Sequence, residues 1–239
     1  MNPAWQSPAD LSMTPASQEL ETDGQTAAAI SGVRAVDTLD GLATINEPTT
    51  ELVIWQRSLP LCFRDWIDRL DAVTLPHIRI LVEPGDLRCA LVPLLDACGL
   101  VQSDMRDLLV EDIDDLVSAF ADITRSDRVD VRLERVDHDA CWKFHRDTVE
   151  ARLVATYRGP TTEWVHMAHA EKAMAEQRDF DGPLERLGDH DVALFKGNRA
   201  GPNRGIVHRS PPIAGTGLTR LFLCLNKRTV VSPDPWVKA

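Results

Sequence analysis

Three side chains of metal-ligating type and one guanidinium stand in the second half of the chain at spacings suited to a redox metal. His145 and Asp147 flank Arg146 in CWKFHRDTVEARLVATYRG, His208 follows in GIVHRSPP, and Arg220 opens RLFLCLN. On a strand, positions i and i+2 project to the same face, so His145 and Asp147 can reach one ion. Two imidazoles and one carboxylate form the donor set of a mononuclear non-haem Fe(II) site with open positions. Ligand type alone does not separate Fe(II) from Zn(II). In RLFLCLN, strand alternation puts Arg220, Phe222 and Cys224 on one face and Leu221, Leu223 and Leu225 on the other. A guanidinium on a strand that is apolar on both faces is costly unless it meets an anion. A carboxylate that accepts two hydrogen bonds suits it best. The chemistry that follows is a metal centre holding an acidic co-substrate.

Each of these residues also admits a plainer role. His145 reads equally as a surface histidine, Asp147 as a turn cap, His208 as a partner of Asp147 without metal, and Arg220 as the partner of a buried acid such as Glu163. Arg152 reads as a rim ion pair before a substrate contact. His166, His169 and His190 form a second set, with His166 and His169 three apart as on one helix face. No thiolate or fourth donor accompanies them, so they read as surface residues. No phosphate-binding loop, dinucleotide glycine fingerprint or nucleophile elbow is present.

The elements that must position the site are strands in the C-terminal half. Val129, Val131 and Leu133 alternate with Asp130, Arg132 and Glu134. Further strands are expected at about 152–157, 191–195, 205–208 and 219–225, with a helix between them over 167–177. Before residue 126 the period is helical. One helix should be capped by Ser58 with Pro60 in its first turn, and Phe63, Trp66, Ile67 and Leu70 form its stripe. A second follows Pro84-Gly85, distorted by Pro93 and ended by Gly99. A third runs from Ser103 to about Ile123, its acids mostly outward and favouring its N-terminal half. Helices first, then short strands joined by turns, predicts an α+β fold in which a helical layer packs on a β-sandwich or jelly roll. Residues 1–50, rich in Ala, Ser, Thr, Gly and Pro, read as a disordered leader with a short helix near 27–36. Residues 51–239 then form a single domain, with 51–125 mainly helical and 126–230 the β core.

The chain has 239 residues, a formal charge of -11 and five scattered cysteines. That acidity argues against a nucleic-acid backbone as the main partner. The odd cysteine count without a C-x-x-C pair argues for reduced thiols in a cytoplasmic protein. No apolar run reaches the ~20 residues needed to span a bilayer.

FHRDTVEARLVATYRGPTTEW, and VHRSPP followed by TRLFLCLN, resemble the bacterial family called domain of unknown function 1826, over roughly Leu52 to Asn226. More distantly, the order strand, HxD, strand, YxG, strand, His, strand, Arg is similar to the Fe(II)/2-oxoglutarate dioxygenase superfamily. That resemblance implies a double-stranded β-helix, a cupin-like jelly roll, in which His145, Asp147 and His208 match the facial triad. Arg220 matches the arginine that holds the far carboxylate of 2-oxoglutarate, and Tyr157 supplies it a hydroxyl partner, although by its own setting Tyr157 reads as core packing. Arg209, directly after the histidine, departs from the general oxygenase pattern. The function so implied is a mononuclear Fe(II), 2-oxoglutarate-dependent oxygenase acting on an unknown substrate, with no nucleic-acid or membrane partner. The alternatives are a non-enzymatic zinc-binding or metal-sensing module, and an interaction protein whose strands are scaffold alone.

Overall fold

The computed structural model describes residues 32–202 and 204–238. Ten strands form two sheets. β1 (Val33–Val36), β2 (Leu52–Trp55), β3 (His77–Val82), β4 (Val129–Val136), β5 (Ala151–Arg158), β8 (Val192–Lys196) and β10 (Arg220–Lys227) make the large sheet, in the order β1-β2-β8-β5-β10-β4-β3. β6 (Glu163–Val165), β7 (Glu185–Arg186) and β9 (Val207–Arg209) make a small one, in the order β7-β6-β9. Among the described strands β1 and β2 pair in parallel, and the other ladders are antiparallel.

Four α-helices accompany the sheets: α1 (Leu61–Arg69), α2 (Leu87–Ala97), α3 (Asp104–Thr124) and α4 (Ala170–Glu176). α3 starts where Ser103 Oγ accepts the Arg106 N–H at 3.2 Å, the usual N-cap bond. α2 continues through Pro93, which lies on its exposed side. It stops at Gly99 (φ 76°), where Leu100 N–H reaches back to Leu95 C=O and Gly99 N–H to Asp96 C=O. Those two bonds form a Schellman motif, which needs a left-handed residue where glycine stands. Ser58 does not cap α1. Pro60 takes the N-cap position and no side chain caps the helix.

Strand alternation splits the large sheet cleanly. Leu221, Leu223 and Leu225 of β10, Leu153 and Ala155 of β5, and Val131 and Leu133 of β4 enter one apolar cluster. Phe63 and Ile67 of α1, Leu91 and Leu95 of α2, and Ile113, Leu116 and Phe120 of α3 complete it. Each such side chain contributes roughly 1.5–3 kcal/mol by leaving water, so this cluster fixes which face of β5 and β10 is left for other work. On that second face Trp164 of β6 and Ile206 join Leu52, Val154, Ala193 and Phe195 in a smaller cluster, which lays the small sheet over the large one.

One expectation needs correction here. The disordered leader does not reach residue 50. β1 pairs with β2, and a 3-10 turn at Asp40–Asn46 buries Leu42 and Ile45 against the main cluster. The stretch 33–36 is a strand, not a helix; residues 1–31 lie outside the described ones. The acids of α3 lie mostly on its outer side, with Asp112 an exception. Asp112 turns to the sheet, where it pairs with Arg57 and accepts the Tyr157 hydroxyl at 2.5 Å.

Candidate metal centre

The segment carrying His145 and Asp147 lies alongside β9 as a further strand would. Ser210 N–H donates to Cys141 C=O at 3.0 Å, and His145 and His208 exchange both of their N–H···O bonds at 3.1 Å. In an antiparallel pair, residues directly opposite one another put their side chains on the same face. The two imidazoles therefore sit side by side, ring centres 4.7 Å apart, with His208 also against the Phe195 ring at 4.5 Å. Asp147 follows two residues after His145, on the same face. Its backbone is held by the 197–200 turn, where Asn198 N–H donates to Asp147 C=O at 2.9 Å. That approach requires Gly197, since a Cβ there would lie 2.2 Å from Val149 O and 2.7 Å from Asp147 O.

Both rings are oriented from behind. His145 Nδ1 lies 2.7 Å from Lys143 C=O and His208 Nδ1 lies 3.2 Å from Ile206 C=O. A carbonyl can only accept, so Nδ1 carries the hydrogen in each ring and Nε2 is left as a donor of electrons. Those Nε2 atoms face Asp147, at 3.5 Å from Oδ1 for His145 and 3.3 Å from Oδ2 for His208. Among the described residues this is the one group of three or more His, Cys, Asp or Glu side chains that could hold an ion. Their donor atoms all lie within 4.8 Å of one another. The Asp147 carboxylate is buried, and its Oδ2 has no hydrogen-bond partner. Burial alone would push its carboxyl pKa up. When the two rings are protonated, His145 and His208, together with the Arg152 guanidinium, overrule that and hold it well below the usual carboxylate range. His145 moves the other way. Burial disfavours its cation, but Asp147 and the Lys143 carbonyl outweigh it and raise the pKa. Two imidazole nitrogens and an unpartnered buried carboxylate oxygen fit a divalent transition metal.

Arg220 reaches the same narrow cavity of about 60 Å³, which His145, His208, Arg152, Cys141 and Phe222 also line. It is 1% exposed, and its Nε and Nη2 have no hydrogen-bond partner. The Phe222 ring lies 5.0 Å from the guanidinium carbon. Burial pulls its pKa down to about 10, against the opposing pull of Cys141 and Glu163. Glu163 itself is taken by Arg209 and Arg186, each at 2.7 Å. Arg209, the departure after the histidine, thereby ties β9 to β6 and stacks over Phe144 at 4.1 Å. Two larger grooves, of about 770 and 580 Å³, open around Lys227 at the far end of β10 and contain none of these residues.

The remaining sequence candidates separate. Tyr157 is not in the cavity. It alternates with Thr156 onto the opposite face of β5, within the main apolar cluster, where its hydroxyl serves Asp112. His190 is buried with an unpartnered Nδ1 rather than on the surface, and His166 sits 4.0 Å from Glu185. Arg152 is not a rim residue. Its Nη1 donates to Asp147 Oδ1 at 2.5 Å and its Nε to Asn226 Oδ1 at 2.8 Å. Asn226 went unnoticed in the sequence; the signal was one amide directly after the apolar run 221–225 of β10, opposite Arg152 in register.

The family model described as protein of unknown function, DUF1826, matches residues 36–226. The chain belongs to the DUF1826 family. The match starts at the last residue of β1 and takes in the 3-10 turn at Asp40–Asn46. No curated protein matches this DUF1826 chain. Among solved structures it is similar to a prolyl-4-hydroxylase of Pseudomonas putida, at 13% identity and TM-score 0.41 over 80% of this chain and 96% of that one. It is also similar to a C-terminally truncated protein of Neurospora crassa in its apo form, at 10% identity and TM-score 0.38 over 80% and 87%. A third is AviO1 of Streptomyces viridochromogenes Tue57, at 12% identity and TM-score 0.32 over 76% and 100%.

Proposed function

We propose that this DUF1826 protein is a mononuclear non-haem Fe(II) oxygenase that uses 2-oxoglutarate, built on a double-stranded β-helix with a helical layer against its large sheet. The observation that carries the reading is a cluster of three metal donors, two of which, His145 and His208, line one cavity with a buried guanidinium that has no anion of its own.

His145 and His208 would hold the metal through Nε2, and Asp147 through the oxygen left without a partner. Three protein ligands on one side leave the other positions open for small molecules. Arg220 would hold the far carboxylate of the keto acid by two parallel hydrogen bonds; its buried nitrogens are the groups in the cavity that need an acceptor. Bound Fe(II), with 2-oxoglutarate and dioxygen, supplies the oxidation of a C–H bond in the substrate. The chain's part is to orient these groups and exclude water, which the sheet-on-sheet burial of Phe195, Val154 and Trp164 beside the site serves. The five cysteines are free thiols, consistent with the cytoplasm as its proposed location, and no described helix is long and apolar enough to cross a membrane. The substrate is small-molecule or protein; neither nucleic acid nor membrane is proposed as a partner.

A closed zinc or sensing module is the second reading. It needs a fourth protein ligand, and among the described residues the group holds three. The test is keto-acid binding by anaerobic calorimetry with Mn(II) present. The Arg220→Gln variant should bind 2-oxoglutarate at least ~30-fold more weakly than wild type, the ~2–5 kcal/mol of a truncated buried charge pair. Equal affinity would assign Arg220 to structure and favour the module.

A further inference from the structure

Arg152 is half-buried beside the metal donors, and the roles above leave it unused. It stands on β5 opposite Asn226 of β10 and lines the cavity together with Val154. Its two ends are both engaged. Nε donates to Asn226 Oδ1 at 2.8 Å, while Nη1 donates to Asp147 Oδ1 at 2.5 Å. Asn226 is in turn oriented by its amide nitrogen, 3.4 Å from Cys224 Sγ. The carboxylate at the end of this chain is asymmetric as a result. Oδ1 is held by a guanidinium, and Oδ2 faces His208 Nε2 at 3.3 Å with no hydrogen-bond partner.

We propose that Arg152, fixed by Asn226, is the positioning residue of the metal centre: it pins Asp147 Oδ1 so that the carboxylate offers only Oδ2 to the ion. The inference rests on reading His145, Asp147 and His208 as metal ligands. A carboxylate free to rotate can take a metal through both oxygens and fill a position that a co-substrate needs. A guanidinium on one oxygen opposes this, because its hydrogen bond takes up a lone pair of that oxygen and fixes the carboxyl's orientation. Asn226 matters because a long arginine side chain holds one geometry only when both its ends are tied. The opposing electrostatic effect is clear. A cation near the site repels a dication, so deleting Arg152 as a mere charge should tighten metal binding, whereas deleting it as a positioning group should weaken it.

That difference in sign makes the test decisive. Co(II) is titrated anaerobically into the full-length apoprotein, followed by its visible d–d absorption, for wild type, Arg152→Gln, Arg152→Lys and Asn226→Ala. Thermal melts of the same samples report folding. Arg152→Gln should bind Co(II) about 10–100-fold more weakly, the usual cost of removing a second partner behind a ligand, and its bound spectrum should change shape. Asn226→Ala, which keeps the charge, should fall between, and Arg152→Lys should recover part of the loss. Wild-type affinity and spectrum in both Arg152→Gln and Asn226→Ala would overturn the proposal while leaving the metal reading intact. Tighter binding in Arg152→Gln would do the same. A wild-type protein that takes up no Co(II) would sink both.

Discussion

Arg220 is the residue that the fold by itself does not explain. A buried guanidinium without an anion is unfavourable, and the cation–π contact with Phe222 offsets only about 0.5–2 kcal/mol of that. The apoprotein should therefore gain ~1 kcal/mol of stability when Arg220 is replaced by Met, while keto-acid binding is lost. Urea denaturation of the metal-free Arg220→Met variant checks the first half, and a lower midpoint would show that the arginine has a structural partner. This conflict was legible in the sequence, because strand alternation puts charge on RLFLCLN wherever it points. The shared face of His145 and Asp147 was legible for the same reason, since they are two apart. Tyr157 was misplaced because its role came from resemblance. Counting by twos from Arg152 through Val154 and Thr156 puts Tyr157 on the other face, with Leu153 and Ala155.

At the scale of elements, α3 is stapled to the sheet by a buried polar set that no periodicity shows. Asp112 receives the Tyr157 hydroxyl at 2.5 Å and the Arg57 guanidinium, which also donates to His190 C=O at 2.9 Å. Removing the carboxylate leaves a buried guanidinium uncompensated, so Asp112→Ala should cost about 3–5 kcal/mol. Tyr157→Phe deletes one hydrogen bond and should cost only about 1 kcal/mol. Neither change touches the cavity, so Tyr157→Phe should leave 2-oxoglutarate affinity unchanged. Chemical denaturation and calorimetry on the two variants measure both effects, and a weakened keto-acid affinity in Tyr157→Phe would restore that residue to the site. The long helices and five of the strands were readable from period and caps. β6 and β7 were harder, being two or three residues long. They exist because β6 pairs with β7 and β9, which is tertiary information.

Over the whole molecule, the boundary of the folded unit lies earlier than composition suggests. A stretch poor in apolar residues contributes only four strand positions and two buried apolar side chains, Leu42 and Ile45, yet β1 extends the large sheet beyond β2. Deleting residues 1–50 should therefore cost about 3–6 kcal/mol relative to a chain beginning at Gly32, from the burial of those two side chains. Equal denaturation midpoints would return that stretch to the leader. The same organisation closes one face of the large sheet with helices and leaves the other for the small sheet and the site. Binding there should be visible globally, since a ligand at 100 times its Kd adds about 2.7 kcal/mol to folding.

The most direct test is anaerobic titration of the full-length protein with Fe(II), without and then with 2-oxoglutarate, observed in the visible range. The account predicts uptake of about one equivalent of Fe(II) through the His145, Asp147 and His208 set. A metal-to-ligand charge-transfer band should appear only when the keto acid is added. Tight Fe(II) binding with no band at saturating 2-oxoglutarate, or no Fe(II) uptake at all, would contradict it.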